Sequence, residues 1–259
     1  FPYTTLFRSV TVAVGDSILV LVSCMNAGTG GIASITNSAS DSAGNTYSNL
    51  GIWTYSNANN ANDGATVAAF FCTVTSVLTS GTITLNFSPN TGSCSVQTYY
   101  ITPANSGTTY TVTAGAGGQN QTSITATSVP SGNYIFGWLG RRTNLSVTAF
   151  DTDTTNGSWS TGIEIKADTG TASTSITLST QWKQPTATGN QTFNNSSSGR
   201  SMVNYILIAV NVDVDITESV QTNESSEGVN SVPTAITESA GTASEASSTS
   251  LVLAPVINE

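Results

Sequence analysis

The chain has no histidine. That absence removes every Ser–His and Cys–His nucleophile pair and every imidazole-ligated metal site. Cations are scarce. Six Lys and Arg stand against fifteen Asp and Glu, for a formal net charge of −9. Phosphate backbones are bound by clustered cations, so this balance argues against nucleic acid as a partner. The one basic pair, Arg141-Arg142, reads as solvated loop sequence. Charged residues make up 8% of the 259, far below the roughly one quarter usual in globular chains. A surface solvated instead by Ser, Thr and Asn is the kind we associate with secreted, cell-surface or virion proteins.

Long apolar runs are missing as well. Ile18–Val22 falls far short of the ~20 residues that span a bilayer, so no membrane insertion is expected in this fragment. No helical stripe of about ten residues or more is present. Gly115-Ala116-Gly117-Gly118 has neither the Lys-Ser/Thr nor the helix of a phosphate loop. Cysteine is sparse, at Cys24, Cys72 and Cys94, and an odd count leaves at least one unpaired within the chain. Each sits in an apolar or alternating run. That fits buried thiols, or a disulfide between two adjacent strands beside one buried thiol. The acids before residue 213 are Asp16, Asp41, Asp63, Asp151, Asp153, Glu164 and Asp168, mostly in turn-like sequence. A carboxylate-pair hydrolase is therefore disfavoured, and we expect no enzyme and no catalytic residues.

What is present is strand signal. Short runs rich in Val, Ile, Thr and aromatics, such as Ser17–Cys24, Thr66–Val74, Ser95–Thr102, Tyr134–Leu139 and Val203–Val212, are separated by Gly, Asn, Ser and Pro. Ile83, Leu85 and Phe87 alternate with polar residues, as do Ile176 and Leu178, predicting half-buried antiparallel strands. Phe136 and Trp138 alternate in the same way and read as core. Asp41-Ser42-Ala43-Gly44-Asn45 reads as a tight reversal.

Gly15-Asp16-Ser17-Ile18 is echoed by Gly132-Asn133-Tyr134-Ile135, and Tyr99-Tyr100-Ile101 by Tyr205-Ile206-Leu207. These echoes divide the body, residues 10–212, into halves of about 10–103 and 104–212. We expect the halves to form one domain, with its first and last strands paired centrally. Residues 1–9, FPYTTLFRS, resemble a translated sequencing adapter and are set aside as non-native. After Val212 the composition turns acidic, and Ile216-Thr217-Glu218-Ser219 recurs as Ile236-Thr237-Glu238-Ser239. Residues 213–259 read as 20-residue Ser/Thr-rich repeats, an extended or disordered stalk or linker. By this reading the chain is a fragment cut at both ends.

Two stretches carry candidate sites. Trp53, Tyr55, Asn57 and Asp63 join aromatics to amide and carboxylate groups, as does Trp159 after its Asp-rich loop. That mix suits stacking on sugars, although the same aromatics suit a sandwich core. Asp151, Asp153 and Asn156 have the alternating oxygens of a calcium loop, so calcium is the one cofactor considered. The spacing runs one residue longer than the EF-hand pattern, and the bidentate Glu is absent, which suits a polar hairpin turn better.

The ordered segments V-A-V-G-D-S-I-L-V-L-V-S (12–23), S-D-S-A-G-N-T-Y (40–47), A-T-V-A-A-F-F (65–71), T-I-T-L-N-F-S (82–88) and Q-T-Y-Y-I (97–101) resemble a recurrent β-sandwich domain of phage virion and bacterial surface proteins. The ITES repeats are similar to those appended to phage tail and surface proteins. The resemblance implies a jelly-roll-like fold and a display or adhesion role. It brings no catalytic residues. Where that family carries an acid before its central aromatic, this chain has Gln97-Thr98-Tyr99. The expectation is therefore an all-β, antiparallel jelly-roll-like β-sandwich with an extended or disordered acidic C-terminal tail. It would be an extracellular, cell-surface or virion module contacting other structural subunits or a surface glycan, in a homo-oligomer or as a strand-donating filament subunit.

Overall fold

The computed structural model describes the backbone of residues 2–6, 10–25, 39–57, 60–86, 93–103, 109–119, 123–143, 146, 149–172, 174–195, 202–211, 214–225, 234–238 and 251–255, and the side chains of residues 10–25, 39–53, 64–86, 93–102, 123–143, 146, 149–172 and 174–195. Among these residues there is no helix. The first half supplies β1 (Pro2–Leu6), β2 (Thr11–Val12), β3 (Ser17–Met25), β4 (Ala39–Asp41), β5 (Ser48–Asn57), β6 (Asn60–Thr73), β7 (Leu78–Thr79), β8 (Thr82–Asn86) and β9 (Ser93–Pro103). The second half supplies β10 (Thr109–Gln119), β11 (Ile124–Val129), β12 (Tyr134–Arg141), β13 (Ile163–Ala167), β14 (Ile176–Lys183), β15 (Gly189–Phe193) and β16 (Met202–Asn211). The tail supplies β17 (Val214–Ser225), β18 (Thr234–Glu238) and β19 (Leu251–Pro255).

Two large antiparallel sheets result. One runs β5-β6-β3-β9-β17-β18-β19 and the other β13-β14-β12-β16-β10. They pack face to face, with β12 over β3 and β6, and β14 over β3 and β9. The period of two sorts the side chains between faces. Leu19, Leu21, Val67, Phe71, Tyr99 and Ile101 meet Tyr134, Phe136, Trp138, Leu178 and Trp182 between the sheets. The alternate residues Ile18, Val20, Val22, Phe70 and Val96 point the other way, onto Ile83 and Leu85 of β8 and Leu78 of β7. Ile135 and Leu139 likewise turn from the central core onto Ile124 and Val129 of β11 and Phe193 of β15. Small sheets, β1-β8-β4 with β2-β7 and then β11-β15, thus flank the large pair.

Burial on both faces explains the unbroken run Ser17–Met25, in which every residue is buried. It also changes the reading of β14. The alternation of Ile176 and Leu178 predicted a half-buried strand, yet all eight residues of β14 are buried. This strand lies inside its sheet between β12 and β13. Two hydrogen bonds reach it across the layers: Tyr99 Oη donates to Thr180 Oγ1 at 2.7 Å, and Ser95 Oγ donates to the Ile176 carbonyl at 3.4 Å. Phe136 and Trp138 are core, as expected. Phe87 lies outside the described residues.

One further expectation changes. The first and last strands of the body do not pair. β2 pairs with β7, while β16 sits between β10 and β12. Within the adapter-like segment, β1 lines up against β8 from Pro2↔Asn86 to Leu6↔Thr82. Two of the three cysteines are bonded to each other. Cys24 and Cys94 stand opposite on β3 and β9 with Cα atoms 4.1 Å apart and form a disulfide, while Cys72 is free and buried. The described residues of the tail are strands, and the first, β17, pairs with β9 from Val214↔Pro103 to Ser225↔Ser93.

The close approach of the two large sheets depends on Gly140. A Cβ there would lie 2.2 Å from Ser23 Oγ and 2.5 Å from Val67 Cγ1. Gly140→Val is expected to lower unfolding free energy by about 1–3 kcal/mol, through overpacking, in urea titration. Reducing the Cys24–Cys94 bond, which closes a separation of 70 residues, is expected to cost about 4 kcal/mol by chain entropy, read as a lower urea midpoint with reductant.

Candidate functional site

The two halves have the same plan. Each places its glycine turn, Gly15 (φ 96) or Gly132 (φ 82), before a central strand, β3 or β12. A positive φ is the conformation glycine adopts without steric cost. The Gly15 amide donates to the Val74 carbonyl at 2.9 Å, and the Gly132 amide to the Pro185 carbonyl at 3.0 Å. Beside each turn, an Asp-led loop is fastened by one asparagine to the loop that follows β6 or β14.

In the first half the fastener is Asn45, 3% exposed. Its Oδ1 accepts from the Thr75 and Ser76 amides, both at 2.8 Å, and from Thr75 Oγ1. Its Nδ2 donates to the Ser76 carbonyl and to Asp41 Oδ2. The Asp41 carboxylate also accepts from the Ala43 and Asn45 amides and from Tyr47 Oη. In the second half the fastener is Asn156. Its Oδ1 accepts from the Ala187 amide and Thr186 Oγ1, and its Nδ2 donates to the Ala187 carbonyl at 2.6 Å.

This arrangement decides what the calcium candidates do. Asp151 Oδ1 accepts from the Asp153 amide at 2.8 Å, and Oδ2 from the Asn194 amide at 2.7 Å. Asp153 Oδ1 accepts from the Thr155 amide, and Oδ2 lies 3.5 Å from Lys183 Nζ. The carboxylates and the Asn156 carbonyl thus accept from N–H and hydroxyl donors, and Asp153 also faces the Lys183 ammonium. Among the described residues no group of three or more Cys, Asp or Glu is placed to hold a metal. Asp151, Asp153 and Asn156 brace loops.

The sugar candidates divide. Trp159 is buried, 8% exposed, with its ring 5.1 Å from that of Phe193 and Lys183 Nζ 5.2 Å above its centroid. A ring covered by a cation and a phenyl group has no free face for a sugar, so Trp159 is a core residue. Trp53 is half-buried on β5, edge-on to Trp138 at 6.3 Å, and packs against the central core. Its ring also lies over Gly51, where a Cβ would be 2.2 Å from Cη2. Tyr55, Asn57 and Asp63 lie on β5 and β6, with side chains outside the described residues.

Sequence reasoning passed over Lys183. Lys183 has no exposed side-chain surface, and its Nζ donates to the Thr155 carbonyl at 3.2 Å. Cys72 occupies the matching place in the first half: Ile18 faces Cys72, and Ile135 faces Lys183. Burial, then the Asp41 carboxylate, pushes the Cys72 thiol up to about 12, and the same two causes raise the Tyr47 phenol. The Thr155 amide, with a smaller part from Lys183, holds Asp153 below its usual range. The legible signal for these loops was the Asp-Asn spacing, Asp41 to Asn45 and Asp151 to Asn156.

Asn45→Ala leaves two backbone amides without their acceptor and is expected to cost about 1–3 kcal/mol. Asn156→Ala, where water can replace the lost group, is expected to cost about 1 kcal/mol or less. Urea titration of both variants checks the order. A thiol ionising near 12 when folded and near 8.5 when unfolded favours the folded state below about pH 8.5. That contribution fades as pH rises toward 12. The urea midpoint is therefore expected to fall across this range less steeply in Cys72→Ala than in the wild-type chain.

The likeness that organises this site is internal to the chain, one half against the other. No family model, curated protein or solved structure matches the chain.

Proposed function

We propose that the chain is a non-enzymatic structural or adhesion module of a virion or cell surface, displayed on its acidic repetitive tail. The observation that carries this reading is the use made of the candidate site residues. Asp41, Asn45, Asp151, Asp153 and Asn156 spend their hydrogen-bonding capacity on fastening loops, and Trp159 is packed inside. Such loops suit a rigid body that presents a surface. The buried Cys24–Cys94 disulfide supports an extracellular setting, because such bonds persist in oxidising compartments. The resemblance of segments 12–23, 40–47 and 65–71 to virion and surface β-sandwiches points the same way.

A glycan-binding module is the second reading. It rests on Trp53, the candidate aromatic that keeps an exposed part, on the edge strand β5. A filament subunit that donates a strand is the third, favoured by the β17–β9 ladder.

The test is a panel of immobilised polysaccharides and host-surface glycans, run beside light scattering and electron microscopy of the purified chain. The structural reading expects multimers or regular particles, with no glycan retained. Retention on one glycan that falls at least tenfold in Trp53→Ala, with an unchanged urea midpoint, would replace it with the second reading.

A further inference from the structure

The two halves are joined in an unusual way. Each large sheet contains a strand that follows the other half in sequence. β10 follows β9 but pairs with β16 in the second sheet. β17 follows β16 but pairs with β9 in the first sheet. The two crossings lie at the same end of the body, with Val214 opposite Pro103 and Thr109 opposite Asn211. Both added strands slip register partway along, β10 between Thr113 and Ala116 and β17 between Gln221 and Glu224. β10 is the edge of its sheet and β17 lies between β9 and β18, and each joins strands distant from it in sequence.

Residues 1–103 and residues 109–225 therefore meet through the central core and the β9–β17 ladder. Residues 104–108 are the only covalent link between them, since the disulfide lies within the first group. We propose that residues 1–103 exchange between two copies of this chain, so that β17 of one copy completes the β9 edge of the other. The partner is a second copy, and the interface is the one already built within each chain.

Physical chemistry supports this without new contacts. The exchanged form keeps every hydrogen bond of the ladder and every contact of the central core. It differs from the single chain in which copy supplies each half and in the entropy of association. The balance is set by the effective concentration of one half about the other, so dilution favours single chains and crowding favours exchange. Mutual exchange closes a dimer, whereas one-way exchange from copy to copy grows a chain. A main-chain ladder along a sheet edge is the means by which such an added strand is held. The inference goes beyond the surface-module reading and holds wherever the protein resides.

The experiment uses the full chain carrying Cys72→Ser, Thr102→Cys and Asp215→Cys. Thr102 is exposed and stands opposite Asp215 in the ladder. The protein is unfolded without reductant and refolded at about pH 5, where thiolate is scarce and the native disulfide persists. A short bis-maleimide is then added, the pH is raised to about 7 so that thiolate forms, and the products are separated by size under denaturing, non-reducing conditions. Across a hundredfold rise in refolding concentration, the cross-linked dimer fraction should rise at least fivefold. Thr102→Cys alone, in the same background, should give no dimer. Cross-links confined to single chains at every concentration overturn the proposal. If the triple variant does not refold, tagged and untagged wild-type chains refolded together decide: mixed dimers in size exclusion uphold exchange, and separate monomers refute it.

Discussion

The structure depends on covering both faces of its two central strands. β3 and β12 each carry apolar side chains at successive positions, so neither can rest with one face in water. The solution is a stack in which each large sheet is covered on one side by the other and on the far side by a small sheet of its own half. Burying an apolar side chain of this kind is worth about 1.5–3 kcal/mol, and the central strands bury one at most positions. Gly140 and the Tyr99–Thr180 hydrogen bond follow from that stacking. The first lets the two sheets approach, and the second satisfies hydroxyls that the approach removes from water.

The same constraint accounts for the doubled plan. A half consisting of one large and one small sheet would leave the inner face of β3 or β12 bare. Two such halves cover each other. Where they diverge, the divergence is chemical and local. Cys72 in one half stands where Lys183 stands in the other, the first beside Asp41 and the second beside Asp153 and the face of Trp159. Both places are closed to solvent, and each is roofed by an Asp-led loop tied down by an asparagine. Polar residues that look like ligands along the chain become fasteners because a loop lying over a core must find partners for its own amides.

Much of the fold was legible in the sequence. The strand runs, the absence of helix and the repeat of Gly15-Asp16 in Gly132-Asn133 all rest on local pattern, and the period of two was enough to read them. Ile83 and Leu85 were placed correctly because β8 does cover a core with one face. Ile176 and Leu178 were misjudged because β14 is covered twice, and alternation within a strand does not report what lies over its polar face. The disulfide stayed open for a related reason. Cys24, Cys72 and Cys94 all sit in apolar strands, and only register shows that Cys24 faces Cys94 while Cys72 faces Ile18. The calcium reading of Asp151, Asp153 and Asn156 rested on spacing, which gives oxygens without giving the donors that point at them.

The sequence by itself determined the class of the protein. Its short alternating runs make an all-β chain, and its lack of histidine leaves no Ser–His or Cys–His pair to be formed. Those are properties of composition and local period, which no partner strand alters. Only the tertiary structure decided which strands are neighbours. It set β17 beside β9 and β10 beside β16, Trp159 under Lys183, and Cys24 across from Cys94. The reason is physical. Strand pairing joins residues far apart in the chain through backbone groups that every residue shares. The choice among pairings is therefore made by the packing of whole sheets, and no single segment carries it.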